Sequence, residues 1–161
     1  MTEKEFFIHR WAAEFPKTIS LFKALPENKL DYRPHEKSRS AKEIVGHLIG
    51  HTGDMIELID TGVVNHRNQT PFNYMDEALN IYTKSNSIFE EKLKSVDDKT
   101  WNEGIVKLYV GGNFLFDWTF REMMLNTLLE TIHHRGQLSS YVRPMGGKNP
   151  SIFGPTADTQ K

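Results

Sequence analysis

Two pairs of ionisable residues have the spacing of neighbours on one helix face. His47 and His51 are four residues apart, and so are Glu130 and His134. Residues at this spacing lie one above the other on an α-helix. Imidazoles and carboxylates can hold divalent metal ions, whereas the chain has no cysteine, which excludes disulfides, thiolate ligands and a cysteine nucleophile. These four side chains are therefore the first candidates for chemistry.

The chemistry depends on whether the two pairs face inward. Ionisable groups on inward helix faces need a compensating cation, mutual hydrogen bonds or water. A divalent metal would satisfy them, and bundle cores hold such ions between facing helices. Two imidazoles and one carboxylate fit an open catalytic Zn²⁺ site or the facial triad of non-haem Fe²⁺. The alternative is a solvent-facing ion pair between Glu130 and His134, with His47 and His51 as hydrogen-bonded core or rim histidines.

Pro, Gly and polar clusters divide the chain into four long segments with helical periodicity. The first spans about residues 4–24, and Pro16 within it predicts a kink. The second begins after Ser40, which forms a Ser-x-x-Glu capping pattern with Glu43, and runs to about residue 60. These two helices would place the histidine pair of the second on an inward face.

The third predicted helix spans about residues 74–94, and the fourth spans about residues 114–144. Residues 61–73 are expected to form a long loop between the second and third helices. Residues 95–114 are expected to form a loop, with room for one small β-hairpin before the fourth helix. The sequence therefore predicts an all-α four-helix bundle in a single domain of residues 1–161.

The fourth helix has two faces with an apolar pattern. Its inner heptad seam contains the ionisable pair and consists of Phe120, Met123, Thr127, Glu130, His134, Gln137 and Tyr141. A second stripe consists of Leu125, Leu128, Leu129, Ile132 and Gly136. Two buried faces are expected either of a central helix in the bundle or of a helix that forms a homodimer seam. The pattern leaves both alternatives open.

Charge and hydropathy exclude several classes of partner. The chain has 20 Lys and Arg against 21 Asp and Glu, a formal net charge of -1, and no long basic run. This composition lacks the electrostatic footprint of a nucleic-acid binder. No apolar stretch approaches the length of a membrane span, and the N-terminus is charged where a secretory signal would be apolar. We therefore expect a soluble cytoplasmic protein without nucleic-acid or membrane partners.

Several motifs together resemble a known family. They are HHRGQLSSYVRPMGG at 133–147, FGPT at 153–156 and KEIVGHLIGH at 42–51. The chain thereby resembles the DinB/YfiT-like superfamily of metal-binding four-helix bundles. The stretch LPENKLDYRPHEKSRS at 25–40 is also similar to the connector between the first two helices of that superfamily. The resemblance covers nearly the whole chain.

The resemblance implies a ligand set. Members of the superfamily typically hold a metal with one His of the second helix and two of the last, and the matching positions here are His47, His134 and Glu130. Glu130 stands where the family has its remaining histidine. A carboxylate there would favour Mn²⁺ or Fe²⁺ alongside Zn²⁺ or Ni²⁺. The other interpretation of this departure is a member that has lost its metal and kept the scaffold.

Other residues near these motifs receive expected roles. His51 is a fourth ligand, a hydrogen-bond partner of a ligand or a general base, and we rank the hydrogen-bond partner first. Gln137 lies on the inner seam and would bind the outer nitrogen of a ligand or the substrate. His51 and Gln137 are thus the candidate catalytic residues. Arg135 is expected to pair with a carboxylate on the outer surface or on a partner subunit, and Gly136 to permit close helix approach.

The resemblance also implies a range of functions. The superfamily includes metal-dependent transferases that use low-molecular-weight thiols, thiol-dependent isomerases and proposed hydrolases. We expect one divalent ion that activates a thiol cosubstrate or water toward a small electrophilic substrate, which is S-transfer or hydrolysis. The alternative is a non-catalytic homodimeric bundle that binds a small molecule or protein, with a vestigial metal site. A thiol transferase should also hold the carboxylates of its thiol, and the sequence does not place Arg10, Arg121 or Arg143 there.

Overall fold

The computed structural model describes residues 1–160, which form a mostly helical protein with one small sheet. The helices are α1 (Glu3–Lys23), α2 (Ala41–Thr61), α3 (Met75–Ser95), α4 (Asp98–Glu103) and α5 (Phe120–Val142), with a 3₁₀ turn at Glu27–Lys29. The strands are β1 (Val63–His66), β2 (Ile105–Val110) and β3 (Asn113–Thr119). Within residues 1–160, no helix combines the length and apolarity needed to cross a membrane.

Three of the four long helices, α1, α2 and α5, begin at side-chain caps that the sequence encodes, whereas α3 begins after Tyr74 without one. In each capping box the side chain of the N-cap accepts from the backbone N–H three residues on, and the glutamate there accepts from the N-cap N–H. The boxes pair Thr2 with Glu5, Ser40 with Glu43, and Thr119 with Glu122. The predicted start of α2 is thus confirmed. Helix α1 continues through Pro16 as one element, and α2 ends at Gly62, whose φ of 72° suits glycine.

The sheet corrects the expected all-α architecture. Strand β1 lies parallel to β2, and β2 pairs antiparallel with β3 through a turn at Gly111 and Gly112. Part of the expected 61–73 loop is therefore a strand, and the last long helix begins at Phe120 rather than near 114. The residues predicted as the start of that helix belong to β3. Aromatic side chains recur there with the period of two that is typical of a strand, at Phe114, Phe116 and Trp118.

Helix α5 packs against both α1 and α2, as α3 does, and it also contacts α4, β2 and β3. The second apolar stripe of α5 is only partly buried: Leu128 is buried, whereas Leu125 and Leu129 are 51% and 55% exposed. Gly136 is exposed, and a Cβ atom there would meet no other atom within 4 Å, so the expected close helix approach is wrong. A homodimer seam along the exposed leucines stays a prediction.

A buried polar layer separates two apolar clusters. Along α2 one cluster ends at Ile49 and the other begins at Met55, and along α5 the division falls between Leu128 and Leu138. The buried polar side chains between the clusters are Glu14, Thr18, His51, Thr52, Asp54, Asn86, Thr131, His134 and Arg135. We call these nine residues the polar layer. Most buried polar groups need partners, so the pairings within this layer indicate what it does.

Candidate metal centre

Three histidines direct their Nε2 atoms toward one another at the α2–α5 contact. The Nε2 atom of His47 lies 3.1 Å from Nε2 of His134 and 3.1 Å from Nε2 of His51. One ligand atom from each of the three residues lies within 4.8 Å of the others. His47 and His51 are one turn apart on α2, and His134 faces them from α5. The three imidazoles could therefore hold one metal ion.

The outer nitrogens of two of these rings determine their tautomers. The Nδ1–H of His47 donates to the carbonyl oxygen of Asn68 at 2.9 Å, and Nδ1–H of His134 donates to Oε1 of Gln137 at 2.8 Å. With the proton on Nδ1, each neutral ring presents an Nε2 lone pair to the other. Lone pairs 3.1 Å apart repel unless a proton or a cation lies between them. The donor set therefore fits a bound cation.

Burial disfavours protonation as the answer to this repulsion. It lowers the pKa of His47 to about 4, helped by the charge of Arg39 and opposed by the hydrogen bond to Asn68. Burial, with the charges of His47 and His134, lowers the pKa of His51 to about 2. Burial also lowers the pKa of His134, against the opposing effects of Gln137 and Glu130. Neutral imidazole is the form that binds metal, so a divalent ion suits the cluster at neutral pH.

Glu130 borders this cluster. Its carboxylate Oε2 lies 3.4 Å from Nε2 of His134, and its side chain is 47% exposed. The third convergent nitrogen comes from His51, whose Nδ1 is buried and has no hydrogen-bond partner among residues 1–160. A role for Glu130 as a ligand stays a prediction, and so does a catalytic role for His51. Both side chains lie within reach of the same point between α2 and α5.

Gln137 links the cluster to the helix surface. While its Oε1 accepts from His134, its Nε2 donates to the ring of His133 at 3.0 Å. Of the two expected roles for Gln137, the structure shows a bond to the outer nitrogen of a candidate ligand. Its side chain also lines a cavity beside the cluster.

Close backbone approach positions the Asn68 carbonyl. A Cβ atom at Gly46 would lie 2.7 Å from the carbonyl oxygen of Thr70, and one at Gly50 would lie 3.1 Å from that of Arg67. Glycine at both positions lets the segment after β1 lie directly on α2, where Thr70 N–H donates to the Gly46 carbonyl at 2.9 Å. The segment thereby reaches the outer nitrogen of His47.

His66 is a candidate functional residue that sequence reasoning missed. Its Nδ1 lies 2.7 Å from Oδ2 of Asp54, and its ring centroid is 5.3 Å from that of His47. Burial raises the pKa of Asp54, an effect that the hydrogen bond from His66 opposes. No local pattern marks His66, because only the pairing of β1 with β2 turns this segment toward α2. The result is a carboxylate–imidazole pair beside the three histidines.

Two cavities meet at the histidine cluster. The larger, of about 660 Å³, opens toward the connector before α2 and is lined by Lys37, Arg39, His47, His66, His134 and Ser140, among others. The smaller, of about 150 Å³, lies beneath the sheet and is lined mainly by apolar side chains together with His47, His51 and His66. A small molecule in the larger cavity would reach the histidines from outside. Glu130 lines both cavities.

Arg135 is buried on the opposite side of α5, which corrects its expected position at the outer surface. Its guanidinium donates to the Glu14 carboxylate at 2.5 Å and to the Glu14 backbone carbonyl at 3.1 Å. Arg10 and Lys17 bind the same carboxylate at 2.8 and 2.7 Å. The expected pairing with a carboxylate is thus present, but inside the bundle. Arg135 can face α1 because α5 packs against α1 as well as against α2.

Fold and site together define a class: a helical bundle with a candidate metal centre between two of its helices. The DinB family model matches residues 1–160, and the chain therefore belongs to the DinB family. This match confirms the resemblance seen in the sequence.

Solved structures share the fold. The chain is similar to a DinB-like protein from Bacillus subtilis, with 19% identity, a TM-score of 0.70, and coverage of 92% of this chain and 99% of the other. It is equally similar to a DinB-like protein from Bacillus cereus ATCC 10987, with 19% identity, a TM-score of 0.72 and coverage of 92% and 97%. No curated protein matches the chain.

Proposed function

We propose that this protein is a metal-dependent enzyme that activates a low-molecular-weight thiol or water toward a small electrophile. One divalent ion, Zn²⁺, Ni²⁺, Mn²⁺ or Fe²⁺, is held by Nε2 of His47, His51 and His134. The observation that carries the proposal is the convergence of these three nitrogens, with two of the rings held by acceptors at Nδ1. Three protein ligands leave coordination positions free for a substrate, which distinguishes catalytic from structural sites.

The residues around the cluster have separate tasks in this proposal. A bound divalent ion supplies Lewis acidity, which lowers the pKa of a thiol or water that enters the larger cavity. Asn68 and Gln137 keep His47 and His134 in the ligand tautomer. His66 donates its Nδ1–H to Asp54, so its Nε2 is free to accept a proton in the cavity.

The third ligand is the point where the sequence and the geometry differ. The resemblance favours the set His47, Glu130 and His134, whereas the distances favour His51 over Glu130. We propose His51 as ligand and Glu130 as a second acceptor for the proton of the arriving thiol or water. Metal affinity separates the two sets, because truncating a ligand affects it more than truncating a neighbouring acceptor does.

The test is the metal content of untagged protein, measured by plasma mass spectrometry. We expect near-stoichiometric metal in the parent and in Glu130→Gln, and its loss in His51→Ala and His134→Ala. His9→Ala is the matched control, because His9 is an exposed histidine of α1 that is not part of the cluster. Loss in Glu130→Gln with retention in His51→Ala would instead establish the carboxylate set. A parent that retains no metal and takes up none of the four ions on titration would overturn the proposal.

The two reactions can be separated once metal loading is established. The metal-loaded chain is assayed with a low-molecular-weight thiol and an activated aryl halide for S-conjugate formation, and with an activated ester for hydrolysis. Either activity should disappear with chelator and return with added metal. Turnover that changes with neither chelator nor added metal would exclude a role for the metal in catalysis.

A second candidate function is a non-catalytic homodimer that binds a small molecule or another protein. The exposed Leu125 and Leu129 on α5 favour it, because paired surface leucines on one helix can form a helix–helix contact. Light scattering tests the assembly. A dimeric parent that becomes monomeric in Leu129→Glu and ignores chelator would support this candidate, whereas a monomeric parent would contradict it.

A further inference from the structure

The larger cavity carries two cationic side chains without an anionic partner. Lys37 and Arg39 both line it, both are exposed, and neither forms an ion pair with any group of residues 1–160. Arg33 of the same connector lies outside this cavity lining and pairs with Glu43 at 3.5 Å. Among the Lys and Arg residues of 33–39, the two without an ion pair are therefore the two that line this cavity.

The arginines considered from the sequence are engaged elsewhere. Arg10 binds Glu14, Arg121 lies 3.4 Å from Glu3, and Arg143 lies 2.9 Å from Asp158. None of these three lines the cavity beside the histidines. The cations available to a ligand near the cluster come instead from the connector before α2, which the sequence did not single out for binding.

The backbone that carries Arg39 is held in place. The Tyr141 hydroxyl donates to the Arg39 carbonyl at 3.1 Å, which ties the connector to α5. The next residue, Ser40, is the N-cap of α2 and accepts from Glu43 N–H at 3.2 Å. Tyr141 belongs to α5 and Ser40 caps α2, and these two helices carry the three histidines. The position of Arg39 relative to the cluster is thus set by the bundle itself.

The charges that line the cavity add up to an attraction for anions. Lys37 and Arg39 outnumber Glu130 by one positive charge when the histidines are neutral, and a bound divalent ion would add to that excess. Guanidinium and ammonium groups recognise carboxylate and phosphate through charge-assisted hydrogen bonds. The Ser38 hydroxyl also lines the cavity and can donate to the same oxygens.

We propose that the cavity selects an anionic small molecule. Lys37 and Arg39 bind its carboxylate or phosphate group while its reactive end reaches the histidine cluster. The inference deepens the proposed function and rests on it for the identity of the reacting end. Lys37 and Arg39 act as specificity residues, and neither belongs to the candidate ligand set.

The test uses two thiols of similar length, 3-mercaptopropionate and 3-mercapto-1-propanol, which differ in the terminal carboxylate. Calorimetry measures their binding to the full chain loaded with Co²⁺. We expect the carboxylate thiol to bind about tenfold more tightly, as charge-assisted hydrogen bonds warrant. Arg39→Gln with Lys37→Gln should remove most of that preference. Arg33→Gln is the matched control and should keep it.

Competing anions distinguish the two sources of negative charge. Stronger displacement of 3-mercaptopropionate by acetate than by inorganic phosphate supports a carboxylate ligand, and the reverse supports a phosphate ligand. Equal affinity of the two thiols for the parent would overturn the inference. A preference that survives in the Arg39→Gln, Lys37→Gln double variant would overturn it as well.

Metal analysis of the same samples separates this inference from the proposed function. If the parent binds no metal, the proposed function fails, and the anion site is tested on metal-free protein with succinate and its neutral analogue succinamide. Amide chemical shifts of residues 37–39 that move with succinate alone, and not in Arg39→Gln, support the site. Unchanged shifts with both probes overturn it.

Discussion

His134 and Arg135 are adjacent in α5, yet they enter the polar layer in different directions and meet different partners. Arg135 faces α1, where the Glu14 carboxylate and its backbone carbonyl satisfy the guanidinium. His134 faces α2, where the imidazoles of His47 and His51 converge on the same point. The first region is complete as a set of paired charges. The second fits a bound cation, and it opens to a cavity of about 660 Å³.

This difference teaches how to separate structural from functional polar burial. Around Glu14, burial acts to raise the pKa, but hydrogen bonds from Lys17 and Arg135 outweigh it and hold the pKa below its ordinary value. A carboxylate stabilised in its charged form needs no further partner. Around His134, burial lowers the pKa of the imidazole and so favours its neutral form. The Nε2 atoms of His134 and His47 then face each other at 3.1 Å without a proton between them. Ionisable groups that do not neutralise one another indicate a ligand.

The largest expected effect comes from removing Arg135 from its ion pair with Glu14. Arg135→Ala removes two hydrogen bonds to buried Glu14 but leaves Arg10 and Lys17 to compensate its carboxylate, so we expect a loss of about 3 kcal/mol, the lower end for a broken buried ion pair. Urea denaturation of the metal-free chain measures the free energy of unfolding. Arg143→Ala is the control, because its ion pair with Asp158 is more exposed and contributes at most about 1 kcal/mol. Similar losses in both variants would contradict the comparison.

The second prediction concerns metal binding at the three histidines. Zn²⁺ at a free concentration of about 100 times its Kd should raise the free energy of unfolding by about 2.7 kcal/mol, because it binds the folded state. His134→Ala should lose this response while Arg135→Ala keeps it. Thermal or urea unfolding with Zn²⁺ and with chelator provides the measurement. A parent whose stability ignores both would count against a cation site.

A smaller effect is expected from the bond that holds the His134 tautomer. Gln137→Leu removes the acceptor of the His134 Nδ1–H, and loss of such an outer partner weakens metal binding by about tenfold, or about 1.4 kcal/mol. Competition with a chromogenic chelator measures the affinity. Ser139→Ala, a nearby change on α5 that does not touch the cluster, should leave the affinity unchanged. Equal affinities in Gln137→Leu and the parent would exclude the positioning role.

The smallest expected effect is a pH dependence of the contribution that Glu14 makes to the free energy of unfolding. The folded pKa of Glu14 is lowered from an ordinary value of 4.5, so its contribution is fully present above that value and is lost as pH falls through the folded pKa. The stability difference between the parent and Glu14→Gln should therefore shrink on acidification. Urea denaturation of both chains from neutral to acidic pH checks this. A difference that grows as pH falls would contradict the sign.

Much of the bundle was predictable because helix periodicity and caps are local. Ser40 with Glu43 marked the start of α2, and the heptad seam placed His134 inward. The strand from 113 to 119 was assigned to the last helix, although Thr119 with Glu122 forms a capping box at the true start. The aromatic period of two before that box was the available signal.

The rest of the candidate site could not be predicted in the same way. Periodicity shows that a residue faces inward, but it does not show which neighbour it faces. Periodicity therefore does not indicate that Arg135 faces α1, and no local pattern distinguishes His66 from the residues of a loop. The carbonyl of Asn68 reaches His47 only because the segment after β1 lies on the glycines of α2. Each of these contacts joins residues distant along the chain.

By itself, the sequence determined the available chemistry: imidazole and carboxylate donors without thiols, placed one turn apart on segments with helical periodicity. It also determined where α2 begins and which family motifs surround His47 and His134. Only the tertiary structure decided which donors converge. The packing of α2 against α5 brought His51 into the cluster and left Glu130 beside it. The physical reason is that helix periodicity is a local property, whereas a metal site requires atoms from separate helices within a few ångströms.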